Sequence, residues 1–473
     1  IRADGSVDPS TAPISSVDNV TYHFTDNMLV QMFYDGVVVE RGDIIIDGNG
    51  CTLQGSKSGY GFYVYRVDNV TIKNTNIIGF SFGVVFSSSS YNSMVGNNVT
   101  NNGCGVELYK SSNSSIIRNN IKANNGWPGG VRIANSSSNI ISRNNITDND
   151  TFGVNFDYSF NNTVSGNNIR NNAWGMSFYP SSDCNFISEN NVTNNGIGID
   201  VRETWYNVIS KNNITNNQCG LQLRGTKRSS SYNIISENNV ANNSECGIKL
   251  YESSYHNTIC ENEITNNSNG IWLEVSSGNV IYHNNFVNNT NHVFASGAEN
   301  VWDDGVEGNY WSSYTGVDLD RDGIGDSPHM LDGDNIDSRP LMGLLSSFNT
   351  LLGSRVIVVS NSTIKDFEYF EPNNTIRMYV SGLEGMGFCR VCISHILMSP
   401  DEISVIIDDG LTPVLHHNYT LRDNSTHRWI YFAYEHSTHE VDIIPEFPSL
   451  IVLPSTLIAI PFAVTIHKRK HSV

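Results

Sequence analysis

The stretch Asp318-Leu319-Asp320-Arg321-Asp322-Gly323-Ile324-Gly325-Asp326 sets carboxylates at its positions 1, 3, 5 and 9, with glycine at 6. That is how a calcium loop begins, and the carbonyl of Ile324 falls where position 7 supplies a backbone ligand. Position 12 is His329 rather than glutamate, so the loop departs from an EF-hand, with Asp332 or Asp334 as substitutes for the missing ligand. A structural Ca²⁺ held by Asp318, Asp320, Asp322, Ile324 and Asp326 is the expectation. A second set of reactive side chains is spread along the chain: Tyr109, Asp157, Tyr179, Asp200, Arg202, Arg224, Tyr251, Trp272 and Glu274. Aromatic faces stack on sugar rings, while carboxylates and guanidinium groups bind hydroxyls or uronates. Glycoside hydrolysis needs two carboxyls about 5–5.5 or 6.5–9.5 Å apart, and Asp157 with Asp200 approaches the upper limit only loosely. A lyase or epimerase would need a base assisted by Arg202 or Arg224. Three readings stay open for these residues: a solvated face, a glycan-binding face and an active site.

What positions them is a repeat. The phrase GNNVTNN from Gly96 returns eight times, ending as HNNFVNN from His283, at intervals of 22 to 26 residues. Each unit holds three short runs that alternate apolar and polar residues, the period of β-strands. Three strands and three turns per unit make one coil of a parallel β-helix, whereas leucine-rich repeats would need a leucine framework that is missing. Two columns are apolar in every unit, one running from Val99 to Phe286 and one from Met94 to Ile281. Stacked about 4.8 Å apart they form inward ladders. Asparagine fills two further columns, Asn97 to Asn284 and Asn102 to Asn289, and all but one place of a third from Asn92 to Asn279. Asparagine tolerates the left-handed backbone of tight turns, and stacked amides can bond between coils. On this frame the chemistry-bearing residues lie on the outer side of the first strand of each coil.

The net charge of −19 sets the chain against phosphate backbones, so no nucleic-acid partner is expected. Cations and neutral glycans suit it better, as does an extracellular setting rich in Asn-x-Ser/Thr triplets. Eight cysteines are thinly spread. Cys219 and Cys246 precede the first strand in adjacent coils, within reach of a disulfide, though buried free thiols fit equally well. Cys389 and Cys392 lie in a strand-like run and read as small packed side chains.

The repeats, together with GNYWSSYTGVDLDRDGIGDSPH from Gly308, resemble surface β-helix proteins related to the NosD-type maturation family and share the repeat of carbohydrate-binding proteins and sugar hydrolases. The opening IRADGSVDPSTAPI and the ending with IPEFPS, an apolar run and KRK resemble archaeal exported proteins with a PEF-type sorting signal. The family name implies copper, but copper wants clusters of His, Met or Cys. His256 and His283 stand in different columns, so copper is not expected. The architecture anticipated is all-β: an N-terminal cap over 1–40, a right-handed parallel β-helix of about 10–11 coils over 41–295, and a C-terminal cap with the acidic loop over 296–344. A small β-sandwich over 345–444 and a membrane anchor or sorting signal over 445–473 follow, with a C-terminal transmembrane helix at Leu450–Ile466. The function expected is that of a surface-anchored module binding a polysaccharide or surface glycoprotein without catalysis. The alternatives are a polysaccharide lyase, epimerase or hydrolase using the first-strand groove, and a purely structural coat protein.

Overall fold

The computed structural model describes residues 1–350, 353–398, 403–408, 413–416 and 418–445. They form two compact units, Ile1–Val317 with Ile324–Leu341, and Asp318–Gly323 with the chain from Met342 onward. The first unit is the right-handed parallel β-solenoid. Its three sheets hold 12, 13 and 13 strands, and a typical coil runs Cys104–Tyr109, Ser115–Ile117 and Asn120–Lys122 before the next begins at Gly129–Ala134. We call the sheet containing Cys104–Tyr109 the first sheet. The solenoid has about 13 coils rather than the 10–11 expected. The additional coils lie at the ends, where Thr21–Phe24 pairs parallel with Ile44–Asp47 and Tyr310–Trp311 with Asn285–Val287. Terminal repeats of a solenoid meet solvent on one side and drift from the consensus, so the asparagine phrase fades there while the strands continue.

Ile146, Ile169 and Val192 lie in register, each completely buried. At roughly 1.5–3 kcal/mol per buried aliphatic side chain, such ladders are the main favourable term. Phe156 and Phe178 stack inside the first sheet with ring centroids 4.7 Å apart. A glycine follows the first residue of most first-sheet strands because the next coil presses against it: a Cβ added at Gly153 would lie 2.5 Å from the carbonyl oxygen of Gly175.

The asparagine columns do something other than adopt the turn conformation. In the three buried columns the residue before each asparagine takes the positive φ, as at Arg118, Arg143, Ser138 and Asn161. The asparagine itself bonds along the solenoid. Asn144 donates from its backbone N–H and from Nδ2 to Oδ1 of Asn167 in the next coil, and from Nδ2 to the carbonyl of Ile116 in the previous one. The columns thus satisfy buried corner amides that no strand partner reaches.

In the second unit, strands such as Arg355–Ser360, Met386–Ser394 and His427–Glu435 build one five-stranded antiparallel sheet, and Thr375–Ser381 and Thr438–Pro445 belong to another. Val358, Met378, Val391, Phe432 and Val441 are among the buried residues between them, a β-sandwich as expected. Among the described residues no helix is long and apolar enough to cross a membrane. Leu450–Ile466, expected to be the transmembrane helix, lies outside the described residues.

Candidate functional site

The outer face of the first sheet carries one side-chain column from Glu107 through Arg132, Asn155, Ser177, Asp200, Gln222 and Lys249 to Trp272. Beside it runs a second column at the strand ends, including Tyr109, Asp157, Arg202, Arg224, Tyr251 and Glu274. Tyr179 follows the strand Trp174–Phe178. Parallel register therefore brings together side chains two dozen residues apart.

Asp200 departs from expectation. It sits on the outward column yet is fully buried. Arg202 donates from Nε to its Oδ2 at 2.6 Å, Gln222 donates from Nε2 to its Oδ1 at 2.7 Å, and the Ser177 hydroxyl lies 3.4 Å away. Burial raises the Asp200 carboxyl above the usual carboxylate range, against the pull of Arg202 and these donors. The guanidinium of Arg202 in turn lies 5.3 Å from the ring centroid of Tyr179. Asp200 is thus roofed by neighbouring side chains and serves to aim them.

The same motif repeats along the face. Arg132 reaches Glu107 at 2.7 Å and Asp157 at 3.4 Å. Arg224 pairs with Glu252 at 2.8 Å and lies over Tyr251, whose hydroxyl burial pushes up. Lys249 sits 4.3 Å from the ring centroid of Trp272, which also packs on Phe294. Tyr109 stands apart with Lys110 near its ring, and Glu274 is exposed at the end of its strand. Each cation is matched by a carboxylate or a ring, which makes a rigid, charge-balanced stripe.

Two features of this neighbourhood escaped the sequence reading. The loop at 225–230 places Arg228 over Trp205, 3.9 Å from the ring centroid, with Asp183 and Ser181 each accepting from it at 3.0 Å. Trp127 projects from another loop, 63% exposed. Both loops were signalled by the longer intervals, 26 residues from Asn213 to Asn239 and 25 from Asn120 to Asn145.

The model of the periplasmic copper-binding protein (NosD) family matches residues 15–185, 123–230 and 225–316. The chain belongs to the NosD family. Solved structures similar to this NosD-family chain include a double mutant of the periplasmic alginate epimerase AlgG, 16% identical, with a TM-score of 0.45 over 61% of this chain and 78% of that one. The A-module of an Azotobacter vinelandii mannuronan C-5 epimerase is 13% identical, with a TM-score of 0.42 over 60% and 83% of the two chains. An E. coli bacteriophage tailspike mutant in complex with pentasaccharide is 8% identical, with a TM-score of 0.42 over 90% and 87%. No curated protein matches the chain.

The NosD description names copper, and the donors here do not fit it. Among the described residues, the group of three or more His, Cys, Asp or Glu ligand atoms lying within 4.8 Å of one another is Asp318, Asp320 and Asp322, all hard oxygens. His256 stacks on Tyr232, and His283 faces Glu307 at 3.2 Å. Cys219 and Cys246 are joined in a disulfide, with Cα atoms 4.8 Å apart. Cys389 is fully buried and its thiol is pushed up to about 11 by burial, while Cys392, three places along the same strand, faces the other way.

The acidic loop has its own counter-charge. Asp318 accepts from the N–H groups of Asp322 and Gly323, and burial raises its carboxyl. Arg422, from the sandwich, spans Asp320 at 2.9 Å and Asp322 at 2.6 Å. Ile324 pairs with Leu341 and Asp326 donates its N–H to the carbonyl of Val317, so these two expected ligands pack with the first unit.

Proposed function

We propose that this chain is a non-catalytic glycan-binding protein working outside the cytoplasm, with the outer face of the first sheet as its binding surface. The observation that carries the reading is the stripe in which Arg132, Arg202 and Arg224 are each held by carboxylates and aromatic rings. Such a surface repeats about every 4.8 Å, offers donors, acceptors and ring faces without net attraction for a polyanion, and suits the hydroxyls of a neutral polysaccharide. Preorganisation keeps the ordering cost of binding low. The non-catalytic reading is favoured by Asp200, one of the two carboxylates a lyase, epimerase or hydrolase would draw on, being covered by Arg202 and Gln222. The Cys219–Cys246 disulfide is in keeping with an oxidising compartment.

The test is a titration of the whole chain with neutral oligosaccharides, coupled to an assay for reducing ends and unsaturated products. Binding without turnover is expected, weakened about tenfold by Tyr179→Ala. Product formation abolished by Asp200→Ala would overturn the non-catalytic reading. Surface anchoring through Leu450–Ile466 belongs to the same proposal. It predicts that the full chain partitions with membranes and that a chain ending at Pro445 does not.

A further inference from the structure

The interval from Asn120 to Asn145 exceeds the preceding one by three residues, and the excess falls in the loop between the strands Asn120–Lys122 and Gly129–Ala134. Gly126 is pressed flat on the coil before it. It donates its N–H to the carbonyl of Gly103 at 2.8 Å, and an added Cβ would meet Gly103 Cα at 2.8 Å. Trp127, the next residue, is turned out of the wall, with the Arg132 guanidinium 5.2 Å from its ring centroid. Together with Phe82, Lys57, Asn101 and Asn125 it lines a cleft of about 500 Å³ at the corner where the first sheet begins. That volume falls within the range of small-molecule sites. The lining combines three aromatic side chains, Phe80, Phe82 and Trp127, with exposed amides, and its one charged residue is a lysine, in a chain whose net charge is −19.

We propose that this cleft binds a single carboxylated sugar ring. The apolar face of the ring lies against Trp127 and Phe82. The amides of Asn101 and Asn125 take its hydroxyls, and the Lys57 ammonium takes its carboxylate. The cleft adjoins the first-sheet stripe and shares with it the Trp127 ring that lies against Arg132, but its own cation is Lys57 and it selects an anionic rather than a neutral ligand. It stands whether or not the stripe binds a neutral glycan.

The experiment is ligand-observed NMR on the whole chain with D-glucuronate and D-glucose as probes. Saturable glucuronate binding, tighter than glucose and weakened by salt, is expected. Trp127→Ala should lower glucuronate affinity about tenfold, with Trp127→Phe retaining most of it. Lys57→Gln should abolish both the preference for glucuronate and the salt dependence while leaving glucose binding as it was. Trp127 is mostly exposed, so an unchanged melting curve is the check that Trp127→Ala folds; should it not fold, Lys57→Gln and Trp127→Phe decide alone. A wild-type chain that fails to discriminate the two sugars, or a preference untouched by Lys57→Gln, would overturn the proposal.

Discussion

At the scale of single residues, the decisive group is the buried asparagine. Asn167 accepts on Oδ1 from the N–H and Nδ2 of Asn144, and its own Nδ2 donates to Ile141, Ser165 and Asn190. Asn167→Ala would orphan two donors and leave a void. With about 1–3 kcal/mol for each buried group left unsatisfied, we expect a loss of roughly 3–5 kcal/mol in denaturant unfolding. This column ends on a different side chain: Asn284 bonds to Asn309, whose N–H donates to the Asp337 carboxylate. Trp311 Nε1 donates to the same oxygen at 2.8 Å and the Arg339 N–H to the other at 3.0 Å. Burial nevertheless pushes Asp337 up to about 6. A carboxyl whose folded pKa is raised binds its proton more tightly when folded, so its contribution to stability falls as pH rises from about 4 to 6, by about 3 kcal/mol at most. Asp337→Asn should flatten that slope in melting curves taken across the window. It should also lower the Tm at pH 7, because an amide NH₂ would face N–H donors.

At the scale of elements, loops carry what strands cannot. The period-2 alternation and the column pattern made the strands legible, and with them the outer-face set from Tyr109 to Glu274. The burial of Asp200 was not legible, because it depends on Arg202, Gln222 and Ser177 closing over it from three coils. The same holds for the acidic loop: its ligand spacing can be read along the chain, but Arg422 lies 102 residues beyond Asp320. Two of the three clustered carboxylates already have a cation, so Ca²⁺ would compete there with the Arg422 guanidinium. Arg422→Gln should leave the carboxylates facing one another unneutralised. Its Tm in chelator is expected to fall below that of the wild type and to be restored by added CaCl₂. A variant indifferent to calcium would remove the loop from consideration as a calcium site.

At the scale of the whole molecule, each coil of the solenoid contacts chiefly its neighbours, so its stability is close to a sum of coil and interface terms. Protection against hydrogen exchange should therefore be greatest in central coils, around Ile146 to Ile214, and decline toward the terminal coils. Uniform protection along the axis would contradict this. The net charge of −19 predicts that duplex DNA is not retained even at low salt, which a mobility-shift assay checks.

The solenoid could be read from the chain alone, because a period of about two dozen residues with fixed apolar and amide columns has one economical packing: each column stacked on itself. The outward-facing positions of the first strand followed from the same alternation. Folding set which of those are reachable, which carboxylates already have partners, and where Trp127 opens a cleft. Those outcomes depend on side chains meeting across coils and on loops leaving the wall, and distance along the chain carries no record of either.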